Sequence, residues 1–356
     1  MSVDRPGLDI RKATLRLGEL RLANARGAFD VHFFRDLANE TSAMAISTGT
    51  LELGEPLLAR VHSSCVTSEC LMGCDCDCAE QLEGALGTMA EAGRGVVFYL
   101  LQEGRGAGLT AKARDRMIVQ ASENRVNTFE AYSSMGLPAD LRSYDIIAPM
   151  SRMLGIRAPI RLLTNNPVKA AAVGEALQSE KIELAGLESI HGPSSEFNRD
   201  YLSAKQDSGH DLAIADRHAG ALPPFPVRVF EPFALPGNAR RVVTASYFLP
   251  VALPADMTEE EGTTWFRMSV VYDRDSERES VLLSLGDGTA DAPLPMENTV
   301  TMGLLDRLPF LQAALGEETG ESRAQGRPAL ERALLAIRER ELGAVQVHFD
   351  ERDRSE

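Results

Sequence analysis

From Ala28 the chain alternates. Phe29, Val31 and Phe33 interleave with Asp30, His32 and Phe34, the period-two pattern of a half-buried strand. Further strands are predicted at Ser42–Thr48 and Leu57–His62, and the apolar run Gly95–Leu101 (GVVFYLL) has the character of a strand buried on both faces. Helical spacing of apolar residues predicts helices over Ala79–Ala92, Lys112–Ala121, Tyr144–Leu154 and Val168–Leu177, with a strand at Ile160–Thr164 between the last two. Strands and helices therefore alternate, and the fold class read from this half is mixed α/β (α+β). The residues before Ala28 show no comparable pattern and are expected to form an exposed arm.

The pattern changes after residue 212. AGALPPFP (Ala219–Pro226) has the composition of a linker or rigid turn. Beyond it, strands are predicted at Arg241–Val251, Trp265–Tyr272, Ser280–Leu285 and Val345–Phe349. Helices are predicted at Met302–Leu315 and Pro328–Leu342, with a polar loop at Gly316–Arg327 between them. A length of 356 residues fits two domains at roughly 150 residues each. The division expected is an arm over 1–27, a domain over 28–212, a linker over 213–226 and a smaller α+β domain over 227–356.

Charge and cysteine placement narrow the chemistry. Lys and Arg number 37 against 52 Asp and Glu, a formal net charge of −15. Such a surface repels nucleic-acid backbones and anionic lipid, so neither is an expected partner, though one nucleotide in a local basic pocket is compatible with it. Without a long apolar stretch or a signal-peptide core, the chain is expected in the cytoplasm. All five cysteines lie between Cys65 and Cys78. A knot this local points to a metal rather than to a disulfide framework. Cys65, Cys76 and Cys78 form C-x10-C-x-C, a set of thiolates suited to zinc. On spacing alone two readings stay open: three ligands with an open catalytic position, or a closed structural site with Cys70 or Cys74 as fourth ligand. An iron–sulfur cluster fits the spacing less well.

The stretch Arg60–Leu82, RVHSSCVTSECLMGCDCDCAEQL, closely resembles the zinc motif of GTP cyclohydrolase II, a riboflavin-pathway family. QEGRGAGL (Gln102–Leu109), MGLPADLR (Met135–Arg142), RLLTNNPVK (Arg161–Lys169) and NRDYLSAKQDSGH (Asn198–His210) extend the resemblance in the same order. The resemblance implies zinc-dependent opening of the GTP imidazole ring, release of C8 as formate and cleavage of pyrophosphate. It implies one zinc ion per subunit on Cys65, Cys76 and Cys78, Mg2+ carried with the nucleotide phosphates, and a homodimer. Asp140 would be a general base and Arg142 a nucleophile toward the α-phosphorus, although a guanidinium is more conservatively a stabiliser of phosphoryl charge. Arg60, Val61, His62, Ser63 and Ser64 would line the nucleotide, together with Gln81, Gly104, Arg105, Arg116 and Thr128. Glu103 would read the guanine N1–H and 2-amino group, and Thr164 and Lys169 would cradle phosphate at a helix start.

The chain also departs from the family pattern. Ser64 replaces a Glu, Glu69 an Asp, and Asp75 stands where an Arg precedes CDC. Arg116 occupies a position usually held by Tyr near the reacting base, so ring opening could end at a formamide without release of formate. Two alternatives therefore remain: a divergent enzyme opening another ring, such as that of a uracil nucleotide, and a non-catalytic zinc protein that binds nucleotides.

Overall fold

The computed structural model describes residues 13–24, 27–52, 54–212, 220–253, 262–286, 294–308 and 326–350. The fold is mixed α/β, in two compact units that are not collinear with the chain. The first takes Met1–Ser63, Leu82–Leu101 and Ser143–Ile190, and the second takes Ser64–Gln81, Gln102–Arg142 and His191–Glu356.

The first unit is built on a seven-stranded sheet. Its strands are β1 (Thr14–Asn24), β2 (Gly27–Asp36), β3 (Thr41–Thr48), β4 (Leu57–Ser63), β5 (Gly95–Leu100), β6 (Ile160–Leu163) and β7 (Leu184–Glu188), in the order β1-β2-β3-β5-β4-β6-β7. Pairing is antiparallel from β1 to β5 and parallel from β5 through β4 and β6 to β7. Every residue of β5 is buried, as its unbroken apolar run predicts. Helices α5 (Ile147–Met153) and α6 (Pro167–Ser179) bury Ile147, Met150, Ala170, Val173 and Leu177 in one core with Leu57, Ala59, Val61, Val96 and Phe98.

The segment before Ala28 is exposed over residues 15–19, as expected, but it is a strand rather than an irregular arm. The segment read as an exposed arm contains β1, paired along its length with β2. Leu15 and Leu17 alternate in one phase and Leu20 and Leu22 in the other, and the slip falls at Leu17, where the register shifts between Arg16 and Gly18. A bulge inserts one residue and so splits the period-two signal into halves too short to recognise.

The second unit holds a six-stranded sheet: β8 (Phe233–Leu235), β9 (Asn238–Ala252), β10 (Thr263–Asp273), β11 (Arg278–Leu285), β12 (Met296–Met302) and β13 (Gly343–Phe349). Their order is β12-β13-β11-β10-β9-β8, antiparallel except for β12 with β13. Helix α3 (Gly108–Ala121) and the helix Gly326–Arg340 both contribute to its core. Leu109, Ala113 and Met117 of the first join Leu330, Leu334 and Ile337 of the second, with Tyr247, Leu249, Val251, Phe266 and Met268 from the sheet. The helix predicted at Met302–Leu315 is corrected: Met302 ends β12, Leu305–Arg307 is a single 3-10 turn, and residues 309–315 lie outside the described residues. Met302 and Val300 point inward as strand residues beside Phe349 and Val347, and Thr299 and Thr301 intervene, so the apolar signal of β12 was only two residues long. Most of the predicted loop Gly316–Arg327 also lies outside the described residues.

Among the described residues three α-helices had no expectation: the short helix Val66–Glu69, α4 (Thr128–Ser134) and α7 (Arg199–Asp207). For α4 a signal existed. Asn127 caps the amides of Phe129 and Glu130, and Glu130 reaches back to the Asn127 amide, a reciprocal box written in the sequence as N-x-x-E.

Candidate metal and nucleotide site

In the second unit, the chain turns from Cys65 into the short helix α1 (Val66–Glu69) and returns through Met72–Cys78 to the start of helix α2 (Cys78–Ala92). This loop brings the sulfurs of Cys65, Cys76 and Cys78 within 4.8 Å of one another, with Cys65 and Cys76 3.5 Å apart. Among the described residues no fourth Cys, His, Asp or Glu completes the group. Cys70 and Cys74 stand apart from it: their thiols face the carbonyls of Asp306 and Pro250, and burial pushes both up to about 12. Hydrogen bonds from Cys76 and Cys78, assisted by Lys112, hold the Cys65 thiol well below the usual thiol range. Three soft sulfur donors, one already inclined to be a thiolate, fit a zinc ion.

Charged partners surround the trio. Lys112 donates to the Cys65 sulfur at 3.0 Å and to Glu103 at 2.8 Å, and the other Glu103 oxygen accepts the Val66 amide at 2.8 Å. Burial raises the Glu103 pKa, partly offset by Lys112. The two aspartates flanking Cys76 are each matched to a cation. Asp75 lies 3.3 Å from the Arg116 Nε, and Asp77 accepts Lys205 at 2.8 Å and the Gln81 amide. Both cations rest on the ring of Tyr201, Arg116 at 4.6 Å and Lys205 at 4.4 Å from its centroid. Ser64 buries its hydroxyl without a hydrogen-bond partner among the described residues. Lys112, Tyr201 and Lys205 were not among the expected site residues. Lys112 lies one turn before Arg116 on the same helix, and the YLSAK string holds the other two, but no local pattern separates them from solvated helix residues.

A second cluster in this unit gathers around Gly104–Gly106, a 3-10 turn in which Arg105 takes a left-handed φ of +56°. Gly104 is buried, and its carbonyl accepts the Tyr132 hydroxyl at 2.8 Å. The Arg105 guanidinium stacks 3.9 Å from the Phe129 ring, and its carbonyl accepts the Leu141 amide at 2.9 Å. A side chain at Gly106 would come 2.9 Å from the Leu141 carbonyl carbon, so glycine lets the two loops meet. Asp140 takes the Arg142 amide and Nε at 3.0 and 2.8 Å and also bonds its Nη2, a bidentate fork. Although partial burial raises it, these bonds hold the Asp140 carboxyl below its ordinary value. Thr128 donates to the buried Asp115 carboxylate at 2.9 Å, and burial pushes that acid up to about 6.

In the first unit, Arg60, Val61, His62 and Ser63 lie at the end of β4, beside the turn from β6 into α6. The Arg60 guanidinium donates to the Leu163 carbonyl at 3.3 Å, and Lys169 donates to the Val61 carbonyl at 3.3 Å. His62 is buried and stacks on Tyr99, centroids 5.6 Å apart. The Thr164 hydroxyl accepts the Asn166 amide, Asn166 caps Val168 and Lys169, and Pro167 opens the helix. Basic side chains and a capped helix start thus gather at the carboxyl ends of parallel strands, a common location for phosphate.

A family model described as GTP cyclohydrolase II matches residues 16–183. GTP cyclohydrolase-2 of Shewanella sediminis is 39% identical over 194 residues, 54% of this chain and 91% of the relative. That of Pseudomonas putida is 39% identical over 204 residues, 57% of this chain and 95% of the relative. The chain belongs to the GTP cyclohydrolase II family. The trio, the Gly104–Gly106 turn and the β6–α6 turn all fall within the GTP cyclohydrolase II match, whereas β8 to β13 fall outside it. No helix among the described residues is long and apolar enough to cross a membrane.

Proposed function

We propose that this chain hydrolytically opens the imidazole ring of GTP at a zinc site on Cys65, Cys76 and Cys78, with release of pyrophosphate. The observation that carries the reading is a trio of sulfurs, two buried and one partly buried, joined by no fourth protein donor among the described residues, which leaves a coordination position for water or substrate. When bound, zinc supplies Lewis acidity and activates water at neutral pH.

The remaining chemistry belongs to the chain. Glu103 keeps lone pairs beyond those taken by Lys112 and Val66, and these accept the guanine N1–H and 2-amino donors. The amide of Gln81 and the backbone of Gly104 orient the base beside it. Arg60, Thr164 and Lys169 take phosphate oxygens with Mg2+ as counter-ion, and Val61, His62, Ser63, Ser64 and Thr128 line the nucleotide. Arg105 and Arg142 stabilise charge at the α-phosphorus. Asp140, held in its ionised form by the fork to Arg142, aims that guanidinium and serves as a general base for a proton at this end. The protein acts as a homodimer in the cytoplasm, and a turnover carried through both hydrolyses would give the diaminopyrimidinone ribosyl phosphate of riboflavin synthesis plus formate.

Arg116 favours a shortened reaction. In place of a phenol near the base, this chain has a guanidinium committed to Asp75 and Tyr201, so the second hydrolysis lacks that group and the product is the ring-opened formamide. Zinc-loaded protein is incubated with GTP, GMP, UTP and UMP, with a chelator control. Mass spectrometry identifies the products, and formate is assayed separately. Ring opening of GTP is expected, with little formate. Stoichiometric formate overturns the early stop, and opening of a uracil nucleotide instead reassigns the substrate. Unchanged GTP over hours supports a binding protein without turnover. Cys76→Ser is expected to lose both the metal and ring opening, and full zinc content in that variant rejects the trio.

A further inference from the structure

Everything from β8 onward lies outside the family match, yet it closes on the metal loop within one compact unit. Three kinds of contact do this. The segment Met72–Cys74 runs as a short antiparallel addition along the end of β9: the Ala252 amide donates to the Met72 carbonyl at 3.0 Å, and the Cys74 amide donates to the Pro250 carbonyl at 2.9 Å. Gly73 permits this approach, since a Cβ there would come 2.6 Å from a Leu249 methyl and 2.8 Å from the Thr67 carbonyl. Apolar packing follows, with Val66 and Leu71 of the loop in the same buried core as Leu249, Val251, Leu330 and Leu334.

The third contact reaches the sulfur trio through two links. Arg327 donates from Nη1 to the carbonyl of Glu69 at 2.8 Å, at the last residue of α1. The Glu69 carboxylate in turn accepts the amide of Cys65 at 3.1 Å. Arg327 is itself braced: its Nε pairs with Glu331 at 2.8 Å, and its amide is held by Asp306 at 3.1 Å. Glu69 is completely buried, so the guanidinium fixes the end of α1 where no solvent can substitute for it.

We propose that the C-terminal region of this chain is the scaffold of its metal loop, and that Arg327 is a positioning residue for the trio, acting through Glu69 on Cys65. The role rests on the reading of the trio as a metal centre. Groups beyond the ligands that orient them typically change metal affinity about 10–100-fold when removed. Arg327→Met therefore weakens the hold on zinc without touching a ligand.

The experiment compares full-length wild type, Arg327→Met and Arg327→Lys. Zinc is titrated against a chromogenic chelator, and the thiolate-to-cobalt charge-transfer band is recorded after cobalt substitution. Arg327→Met is expected to surrender zinc at roughly tenfold lower chelator concentration or less, with a shifted or broadened cobalt band, while the metal-free protein still melts cooperatively and only a few degrees lower. Arg327→Lys, which keeps a cationic donor, recovers part of the affinity. Wild-type affinity and an unaltered band in folded Arg327→Met overturn the inference. So does a loss that Lys does not mend, which marks general loosening of the fold. Should Arg327→Met not fold, Arg327→Gln takes its place with the same expected and overturning results. A wild-type chain that takes up neither ion rejects the metal reading, and this role with it.

Discussion

Replacing Arg116 by Tyr installs the residue that the family resemblance implies at this position, and it should nevertheless damage this protein. Arg116 is buried, with its Nε 3.3 Å from Asp75 and its Nη2 donating to the Asp75 carbonyl at 3.2 Å. Asp75 is 6% exposed, and its carboxylate oxygens find no hydrogen-bond donor among the described residues beyond that ion pair. Removing one member of a buried pair strands the other, at about 3–5 kcal/mol. The lost stacking of the guanidinium on Tyr201 adds on the order of 1 kcal/mol. A phenol in the same space returns some apolar burial, so the net expected loss is about 3–4 kcal/mol. At roughly 2–4 °C per kcal/mol in a domain of 150–250 residues, melting should fall on the order of 10 °C.

The companion variant decides the reasoning. Asp75→Asn with Arg116→Tyr removes the stranded charge, and most of the loss should return, with a coupling energy of at least about 2 kcal/mol. Urea unfolding followed by fluorescence is suited to this, because the single tryptophan, Trp265, lies in the unit that contains the pair. If Arg116→Tyr alone is as stable as the double variant, the guanidinium is not what keeps Asp75 tolerable, and the paired reading of these two departures is wrong. The same double variant carries a functional readout. If the missing phenol limits the second hydrolysis, formate per ring opened should rise only when both positions are changed.

Lys112→Met should weaken zinc binding about 10–100-fold in a chelator titration, because it removes the donor to the Cys65 sulfur and frees Glu103; unchanged affinity would leave that contact without consequence. Asp115 has its folded pKa raised by burial to about 6, so the native state binds more protons than the unfolded chain between about pH 4 and 6. Its contribution is therefore full below that window and lost as pH rises through it. Asp115→Asn should remove this fall, a gain on the order of 2–3 kcal/mol at pH 7 in urea unfolding, and a wild-type stability flat from pH 4 to 6 would contradict it. Cys70 and Cys74, pushed up to about 12, should stay unmodified when the native protein is treated with iodoacetamide at pH 8 and weighed. Rapid labelling of either would contradict the raised pKa of these thiols.

Much of the fold was legible because its local signals are strong. The apolar run of β5, the Asn166–Pro167 start of α6 and the alternation in β9 to β11 each appear where periodicity and capping put them. The cysteines were legible as a group because thiolate chemistry needs proximity, and three of five are brought together. What stayed hidden is contact between elements distant in sequence. The pattern of β9 says that Leu249 and Val251 are buried, but not that Leu71 and Met117 lie against them. Gln120 looks like any solvated helix residue, yet its amide both donates to and accepts from the Phe248 backbone, at 2.7 and 2.9 Å. The bulge in β1 and the polar face of β12 failed for the opposite reason, since each leaves too few apolar residues in phase.

The charge placement around the trio resolves an apparent conflict between an acidic chain and an anionic substrate. A net charge of −15 describes the surface, and at roughly 8 Å of screening length it acts weakly on a partly buried site. Within the site three acids each face a cation: Asp75 faces Arg116, Asp77 faces Lys205 and Glu103 faces Lys112. Buried pairs of this kind contribute little net stability, and their effect is to cancel fields. Three thiolates and one divalent ion would then leave a single negative charge, shared with the Lys112 ammonium at the Cys65 sulfur. Without those cations the same site would present the metal and three further carboxylates together, two from the loop and Glu103 from the turn after β5, and an arriving triphosphate would be repelled. This is why the basic residues of α3 and α7 belong to the site as fully as the cysteines do, and why replacing them one at a time should be more harmful than replacing each together with its acid.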